Sequence, residues 1–435
     1  MGQDGFIKFV SEIAAAKGIS FETALSLLKL SGYRVAIDGF IWVNANMAIP
    51  YRYEVEAMTD PVDGVIDRAK VVRETVEKFV KYNINLIQYG ILPLWCWDGK
   101  IRPEKQKTLE KRKATKKKTD KTIDELLKEL RATPILLRDA EKLKSLVMKL
   151  KYTARPTRPE IEMYQNVAHS IGIPSIIAPY DGEALCASLS QEGLVAAVAS
   201  DDADNYPIGS IYLVDGYAPK TADGIPHFKA RICPYIPYAM GLTQEQFRDW
   251  FILCGTDFNF NIKGIGQARA YEAIKKYGNI ETFLTQTGKA TPENIELLNY
   301  VKVREILTPF KTGYDNDSPE INFNYVKFAQ SREFLESMKL DHHITLIDQL
   351  VRLLPKPKLV EMKQPEVAKT AKFQIVNTVS EEKEVTKTTT FTIVSSTTIS
   401  NKRGGVTQTS SQQKSEISEH VRDDISTITF GLQQL

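Results

Sequence analysis

The sequence predicts an α/β protein with a parallel sheet at its centre. Short apolar runs alternate with stretches whose apolar residues recur at helical spacing, which is the pattern of strands joined by crossover helices. Several of these runs end in acidic residues, and parallel strands bring such ends to one edge of the sheet. With 435 residues, 43% of them hydrophobic, the chain can form one large domain or two smaller ones.

The elements follow from local patterns. Apolar runs predict strands at residues 33–37, 91–97, 174–178, 194–199 and 210–214. Helical spacing predicts helices over 21–30, 65–82, 159–171 and 243–254, with a further one that begins near Asp181. In the helix over 243–254, Thr243 stands at the N-cap and Gln246 follows three residues later, which is a capping-box pattern.

The composition changes from about residue 356, where Ser, Thr, Lys and Glu dominate and aromatic residues are few. Such a segment buries too little apolar surface to offset the entropy of ordering it, so we expect a disordered tail. Residues 373–376 and 391–394 carry similar short motifs. An incidental similarity is the favoured interpretation, and weak strands or docking motifs are the alternative.

Charge is concentrated in one segment, although the net charge of the chain is only +3. Residues 100–121 hold eleven basic residues against three acidic ones, and a polar helical pattern continues to about 150. The four cysteines lack the close pairing of a zinc site, so we expect reduced packing residues. No apolar run reaches a membrane span and the N-terminus lacks a signal peptide, so we expect a soluble protein without a membrane anchor.

Acidic residues follow four of the predicted strands. They are Asp38, Asp98, the pair Asp181 and Glu183, and the group Asp201, Asp202 and Asp204. Two like charges about 4 Å apart cost roughly 4 kcal/mol at an effective dielectric constant of 20, so the cluster needs cations. Oxygen ligands favour Mg²⁺, Mn²⁺ or Ca²⁺, and two such ions beside a basic segment can hydrolyse phosphodiester bonds. Alternatively, each Asp is a turn or N-cap residue, as Asp181 would be for the next helix.

Motifs over roughly residues 1–310 resemble those of the flap endonuclease (XPG) family. They are MGQDGF, VAIDGF, WCWDGK followed by Pro103, IPSIIAPYDGEALCA, ASDDAD and LCGTDFNFNIKGIGQARA. The resemblance implies a PIN-like (resolvase-like) parallel sheet with a helical arch insertion and a helix–hairpin–helix (H3TH-type) C-terminal subdomain. It divides the chain into an N-terminal nuclease region (1–118), an arch or linker (119–158), an internal nuclease region (159–240), a helix–hairpin–helix DNA-binding region (241–310), a helical extension (311–355) and the tail (356–435).

The resemblance also assigns metal ligands and catalytic residues. Two Mg²⁺ ions are expected, with Mn²⁺ as a substitute. One ion would be held by Asp98, Asp181 and Glu183, with Asp38 reaching it through water. The other would be held by Asp202 and Asp204, with Asp257 alongside through water. Lys105 and Arg112 would steer the scissile phosphate and stabilise its charge, and their seven-residue spacing places them on one face of a helix.

The family's DNA contacts fall on further positions. Gly264 and Gly266, with Lys263, would form the loop that grips duplex DNA beside a K⁺ ion, and Gly2 would lie near the active site. Two departures concern the substrate and the metal. Asp181 stands where the family usually has Glu, and Asn44 stands where many members have a Tyr that stacks on a base. Asp201 falls where the family has an adjacent acid that does not lead catalysis.

The resemblance therefore implies an endonuclease that cuts 5′ flaps or related branched DNA in replication or repair. A bubble- or junction-cutting member or a 5′-exonuclease is one alternative, and a catalytically silent nucleic-acid-binding or translation-regulating scaffold is another. The expected partner is branched or flapped DNA, and no sliding-clamp box of the QxxLxxFF kind is found. We expect a monomer inside the cell, in the nucleus by resemblance, or in the host nucleus for a viral protein.

Overall fold

A seven-stranded sheet forms the centre of the computed structural model, which describes residues 3–218, 224, 226–337, 373–375 and 393–395. Its strands are β1 (Glu22–Ser26), β2 (Arg34–Asp38), β3 (Leu92–Trp97), β4 (Ser175–Ile177), β5 (Ala197–Ala199), β6 (Tyr212–Ala218) and β7 (His227–Ile232). They lie in the order β1-β7-β6-β5-β2-β3-β4. The run from β6 to β4 pairs in parallel, as predicted, whereas β7 and β1 extend the sheet in antiparallel pairing.

Helices connect and flank these strands. Within the described ranges they are α1 (Gln3–Ala16), α2 (Gly39–Ala57), α3 (Arg68–Gln88), α4 (Gln106–Ala132), α5 (Ala140–Leu150), α6 (Arg158–Ser170), α7 (Gly182–Gln191), α8 (Asn205–Ile208), α9 (Tyr235–Met240), α10 (Gln244–Cys254), α11 (Gln267–Tyr277), α12 (Ile280–Gln286), α13 (Pro292–Leu298), α14 (Tyr300–Ile306), α15 (Tyr325–Gln330) and α16 (Arg332–Ser337). None of them combines the length and the apolar composition needed to cross a bilayer.

The helix predicted over residues 21–30 is wrong. Its first half is β1, which pairs antiparallel with β7, and its second half is a 3₁₀ turn, Leu27–Leu30. The apolar residues Phe21 and Leu25 are buried in this arrangement. Because β7 lies some 200 residues further along the chain, tertiary pairing overrides the local helical pattern. The remaining helix predictions are confirmed as α3, α6, α7 and α10, and both halves of the capping box at Thr243 are formed.

The core lies between the sheet and its helices. Its largest buried side chains include Trp95 and Trp97 on β3, and Trp42 packs edge-on against Trp95. Cys96, Cys186 and Cys233 are buried free thiols, as predicted. In the tail, Phe373–Ile375 and Ile393–Ser395 form a two-stranded antiparallel sheet, so the alternative interpretation of the repeated motif as short strands is confirmed there. The disorder predicted for the rest of the tail concerns residues outside the described part.

A buried arginine ties the C-terminal extension to the start of β2. Arg34 donates through Nη1 to Asn316 Oδ1 (2.9 Å) and through Nη2 to Asn322 Oδ1 (2.5 Å). Only 2% of Arg34 is exposed, and burial lowers its pKa. The two asparagines therefore link the loop that carries them to the first residue of β2.

Replacing Arg34 by Met should destabilise the fold without changing the site chemistry. The substitution keeps much of the side-chain volume but leaves the Asn316 and Asn322 oxygens without their donors. Asn316 and Asn322 are half-buried and water can partly replace the donors, so at about 0.5–1.5 kcal/mol for each lost hydrogen bond we expect a loss of roughly 1–3 kcal/mol in the free energy of unfolding. Urea denaturation of the variant measures this loss. An unchanged midpoint would mean that the extension is not anchored through Arg34.

Helices α4 and α5 pack against the loop between α2 and α3. Val62 of that loop joins Ile123, Leu130 and Leu146 in a small hydrophobic cluster separate from the main core. Arg138, almost fully buried, donates to Asp60 Oδ2 (2.7 Å). These contacts attach α4 and α5, which include most of the predicted arch (119–158), to the loop between α2 and α3. Below, α4 and α5 together are called the arch.

Replacing Arg138 by Gln should loosen this arch. The substitution removes the charge-assisted bond to Asp60, while the hydrophobic cluster and the contacts of Arg131 with Asp63 and Val62 remain, so the cost is about 1–3 kcal/mol in local stability. Hydrogen exchange in α4 and α5 should accelerate while exchange in the sheet stays unchanged. Arg158→Gln, which removes an exposed i,i+4 ion pair with Glu162, is the control. Equal exchange in both variants would contradict the role of Arg138.

Candidate active site

The acidic residues that follow the strands converge at one edge of the sheet. Asp38 ends β2 and caps α2, where its Oδ1 accepts from the Ile41 amide (3.1 Å). Asp98 follows β3, and its Oδ1 accepts from the Gly182 amide (2.8 Å) at the start of α7. Both carboxylates therefore lie where the parallel strands end, as the sequence predicts.

Asp38 is linked to the next group of acids through a serine. Ser200, directly after β5, donates from Oγ to Asp38 Oδ2 (3.0 Å) and accepts from the Asp202 amide (3.1 Å). Asp202 Oδ1 in turn accepts from the Asp204 amide (2.9 Å). The turn after β5 thus points two carboxylates toward the end of β2, and Ile41, Asp201 and Asp257 line the same cleft.

The clustered charges affect one another's protonation. Burial, followed by the charge of Asp98, raises the pKa of Asp38 to about 7. Burial also raises the pKa of Glu183, and Asp202 and Asp181 add to this while Lys105 opposes them. The pKa of Asp204 is raised by burial and by Asp202. Burial is therefore the main cause of the raised pKa values, and repulsion among the carboxylates adds to it.

Three basic side chains from the start of the arch enter the cleft. Lys105 lies 2.6 Å from Asp181 Oδ1 and 3.4 Å from Glu183 Oε1. Arg102 contacts the other oxygen of Asp181, and Arg112 of α4 binds both oxygens of Asp257 at 2.7–2.8 Å. Burial opposes the charge on Lys105, but Glu183 and Asp181 outweigh it and raise the pKa of the ammonium group.

The donor set suits a hard divalent cation. Every candidate ligand offers carboxylate oxygen, which Mg²⁺ and Mn²⁺ prefer over nitrogen and sulfur donors. The seven candidate ligands outnumber the three basic side chains, so negative charge is in excess in the cleft. As the side chains stand, no three acidic, His or Cys residues in the described ranges are arranged to hold an ion. Arg102, Lys105 and Arg112 occupy carboxylates that ions would require.

The predicted DNA-gripping loop lies after α10. Gly264 has a φ of +83°, a left-handed conformation that favours glycine, and its carbonyl accepts from Arg269 Nη1 (2.9 Å). Gly266 is the N-cap of α11, and Lys263 is exposed. Gly2 lies outside the described residues. Asn44 is half-buried on α2, and its Nδ2 donates to the Phe40 carbonyl (3.0 Å).

Arg102 is the cleft residue that the sequence analysis did not single out. It was one of eleven basic residues in the segment 100–121, and its partner Asp181 lies 79 residues further along the chain. The only local signal is Pro103, which starts the 3₁₀ turn Pro103–Lys105 and so fixes Arg102 at the entrance to the arch.

Comparison with known proteins agrees with the geometry. The XPG N-terminal domain matches residues 1–119, and the XPG I-region matches residues 172–257. Flap endonuclease 1 of Entamoeba histolytica is 32% identical over 280 residues, which cover 63% of this chain and 68% of that protein. The chain belongs to the flap endonuclease (XPG) family. Its PIN-like fold is therefore that of the family, with the seven-stranded sheet described above.

Two further similarities are more distant. Flap endonuclease 1 of Babesia bovis is 29% identical over 362 residues, which cover 82% of this chain but 48% of that protein. The solved flap endonuclease-1 from Methanococcus jannaschii is 22% identical, with a TM-score of 0.46, and the match covers 78% of this chain and 97% of that one.

Proposed function

We propose that this chain is a metal-dependent endonuclease that cuts 5′ flaps or related branched DNA by two-metal-ion catalysis, in replication or repair. The observation that carries the proposal is the meeting of strand-end carboxylates with Lys105 and Arg112 in one cleft. Acids alone would repel a phosphodiester, and basic residues alone would bind it without cleaving it. Their combination fits cleavage of a phosphodiester backbone.

The carboxylates divide into two sets according to the elements that carry them. Asp98, Asp181 and Glu183, with Asp38 behind them, would hold one Mg²⁺ ion. Asp202 and Asp204, with Asp257 alongside, would hold the other. When bound, the two ions supply Lewis-acid stabilisation of the charge that develops on the phosphate, and Mn²⁺ can replace them. The shorter Asp181 side chain, in place of Glu, keeps its carboxylate closer to the start of α7.

The basic side chains act on the DNA. With ions on their present partners, Lys105 and Arg112 become available to the scissile phosphate. The guanidinium group of Arg112 already binds two oxygens of Asp257, a geometry that suits a phosphate equally well. The exposed lysines of α4 add sequence-independent attraction for the backbone, which weakens as salt rises. The glycine loop before α11 would bind the duplex part of the substrate.

Removal of divalent metal is the direct test of this function. The chain is incubated with a labelled 5′-flap duplex in Mg²⁺, in EDTA, and in EDTA followed by excess Mn²⁺. We expect incision near the flap junction with Mg²⁺, none with EDTA, and recovery with Mn²⁺. Bubble, junction and nicked substrates, tested in parallel, rank the substrate class. Binding without incision on every substrate would contradict the proposal and favour a silent scaffold.

A further inference from the structure

Arg102 stands in an unusual position for a charged side chain near a metal site. Its Nε lies 2.5 Å from Asp181 Oδ2, and its guanidinium group lies 4.2 Å from the centre of the Tyr180 ring. Only 16% of the Arg102 side chain and 8% of the Asp181 side chain are exposed. The pair is therefore a partly desolvated ion pair with a stacked aromatic wall, unlike the exposed pairs of the arch surface.

Each oxygen of Asp181 already has a cationic partner. Lys105 holds its Oδ1 at 2.6 Å while Arg102 holds its Oδ2. Both basic residues come from one short segment, because Arg102 is the N-cap of the turn Pro103–Lys105 that leads into α4. A divalent ion at Asp181 would be repelled by two cationic groups that contact the same carboxylate, so it has to compete with this segment.

We propose that Arg102 is a built-in counter-ion of Asp181 that a divalent metal ion displaces, so that metal binding releases the root of the arch. Without metal, Arg102 offsets the repulsion among the acids and pins the entrance of α4 to the start of α7. With metal, the guanidinium group leaves Asp181 and the segment Arg102–Lys105 is free to meet a phosphate. The inference rests on the proposed function, because it assumes that Asp181 is a metal ligand.

Thermodynamic linkage makes the idea measurable without DNA. If metal and Arg102 compete for Asp181, each weakens the other's binding by the same factor. Removing the guanidinium charge must then tighten metal binding, even though it removes a contact from the apo fold. A residue that merely orients Asp181 for the metal would have the opposite effect, because metal binding would weaken when it is lost.

The test compares Arg102→Gln with Arg158→Gln, which removes the same charge from an exposed pair far along the chain. Mn²⁺ binding is measured by calorimetry on the DNA-free chain, and the melting temperature is measured in EDTA and in Mg²⁺. Arg102→Gln should bind Mn²⁺ at least about fivefold more tightly than the wild type. Its melting temperature in EDTA should be lower than that of the wild type, and Mg²⁺ should raise its melting temperature by more. Arg102→Lys keeps the positive charge but lacks the planar guanidinium group. Its Mn²⁺ affinity should lie between that of the wild type and that of Arg102→Gln.

Hydrogen exchange supplies a second readout. In the wild type, added Mg²⁺ should accelerate exchange in residues 102–112, whereas in Arg102→Gln exchange there should already be fast in EDTA. Weaker or unchanged Mn²⁺ binding in Arg102→Gln would overturn the inference while leaving the proposed function intact. Failure of the wild type itself to bind Mn²⁺ would contradict both.

Discussion

Replacing Asp202 by Asn is expected to abolish strand cleavage and to leave DNA binding intact. The charge of Asp202 acts on several other carboxylates of the cleft. Together with burial, which is the larger cause, it raises the pKa values of Asp38, Glu183 and Asp204. The amide oxygen of Asn can still accept from the Asp204 backbone, so the turn after β5 should keep its shape. What is lost is the negative charge that a divalent ion needs.

The expected loss is large. Metal ions contribute several kcal/mol of transition-state stabilisation, and about 4 kcal/mol corresponds to roughly a thousandfold in rate. The single-turnover rate on a flap substrate should therefore fall below about a thousandth of the wild-type rate. Affinity for the same DNA in Ca²⁺ or EDTA should be unchanged or slightly higher, because one charge that repels phosphate is gone.

Asp201→Asn is the matched control, since it makes the same change at the neighbouring position. Asp201 lines the cleft but is exposed, and it stands where the family has an acid that does not lead catalysis. Its replacement should change the rate by less than about tenfold. Equal losses in the two variants would mean that total cleft charge, and not a ligand at Asp202, controls cleavage.

The acidic edge could be predicted from sequence because its signals are local. The acids from Asp38 to Asp204 follow apolar runs directly or after a short turn, and the carboxyl ends of parallel strands lie at one edge of the sheet. Asp257, which follows α10, was assigned only through the resemblance. The same local reading failed at residues 21–30, where the partner strand β7 is distant in the chain. The strand β7 was not predicted either. It pairs antiparallel with its neighbours, so no crossover helix precedes it to mark it in the sequence.

The cationic half of the site was only partly predictable. Lys105 and Arg112 were found through resemblance, but their partners lie 78 and 145 residues further along the chain. Arg102 could not be told from its basic neighbours, because composition does not say which side chain becomes buried. The packing of α4 and α5 against Val62 could not be predicted from the sequence either, because a single apolar residue in a loop carries no periodic signal.

Replacing Lys105 by Met should reduce the cleavage rate strongly, with little effect on DNA affinity. The ammonium group of Lys105 lies between Asp181 and Glu183 and 5.0 Å from the centre of the Phe258 ring. Met keeps the aliphatic stem against that ring and removes the charge. Loss of one charge-stabilising donor in an enclosed site costs about 10²–10³ in rate, so this decrease is expected under single-turnover conditions.

The control is Lys107→Met, which removes a charge two residues away. The Lys107 side chain is 69% exposed, and its partner Glu296 is 81% exposed. Lys107 belongs to the general attraction between α4 and the backbone, so its loss should weaken binding slightly and reduce its salt dependence by about one ion. Lys105→Met should leave that dependence unchanged. If Lys105→Met instead reduced the salt dependence of binding and left the cleavage rate unchanged, Lys105 would only attract DNA.

Comparison of Lys105→Met with Lys107→Met also distinguishes a positive charge that acts on the reacting phosphate from one that attracts the DNA backbone in general. If Lys105 acts after an ion has replaced it at Asp181, its loss should slow cleavage at every Mg²⁺ concentration. If it served only to neutralise the acids, saturating Mg²⁺ would restore the rate, because the ions supply the missing charge. A rate that stays about a hundredfold low at saturating Mg²⁺ therefore places the Lys105 ammonium group on the phosphate in the transition state.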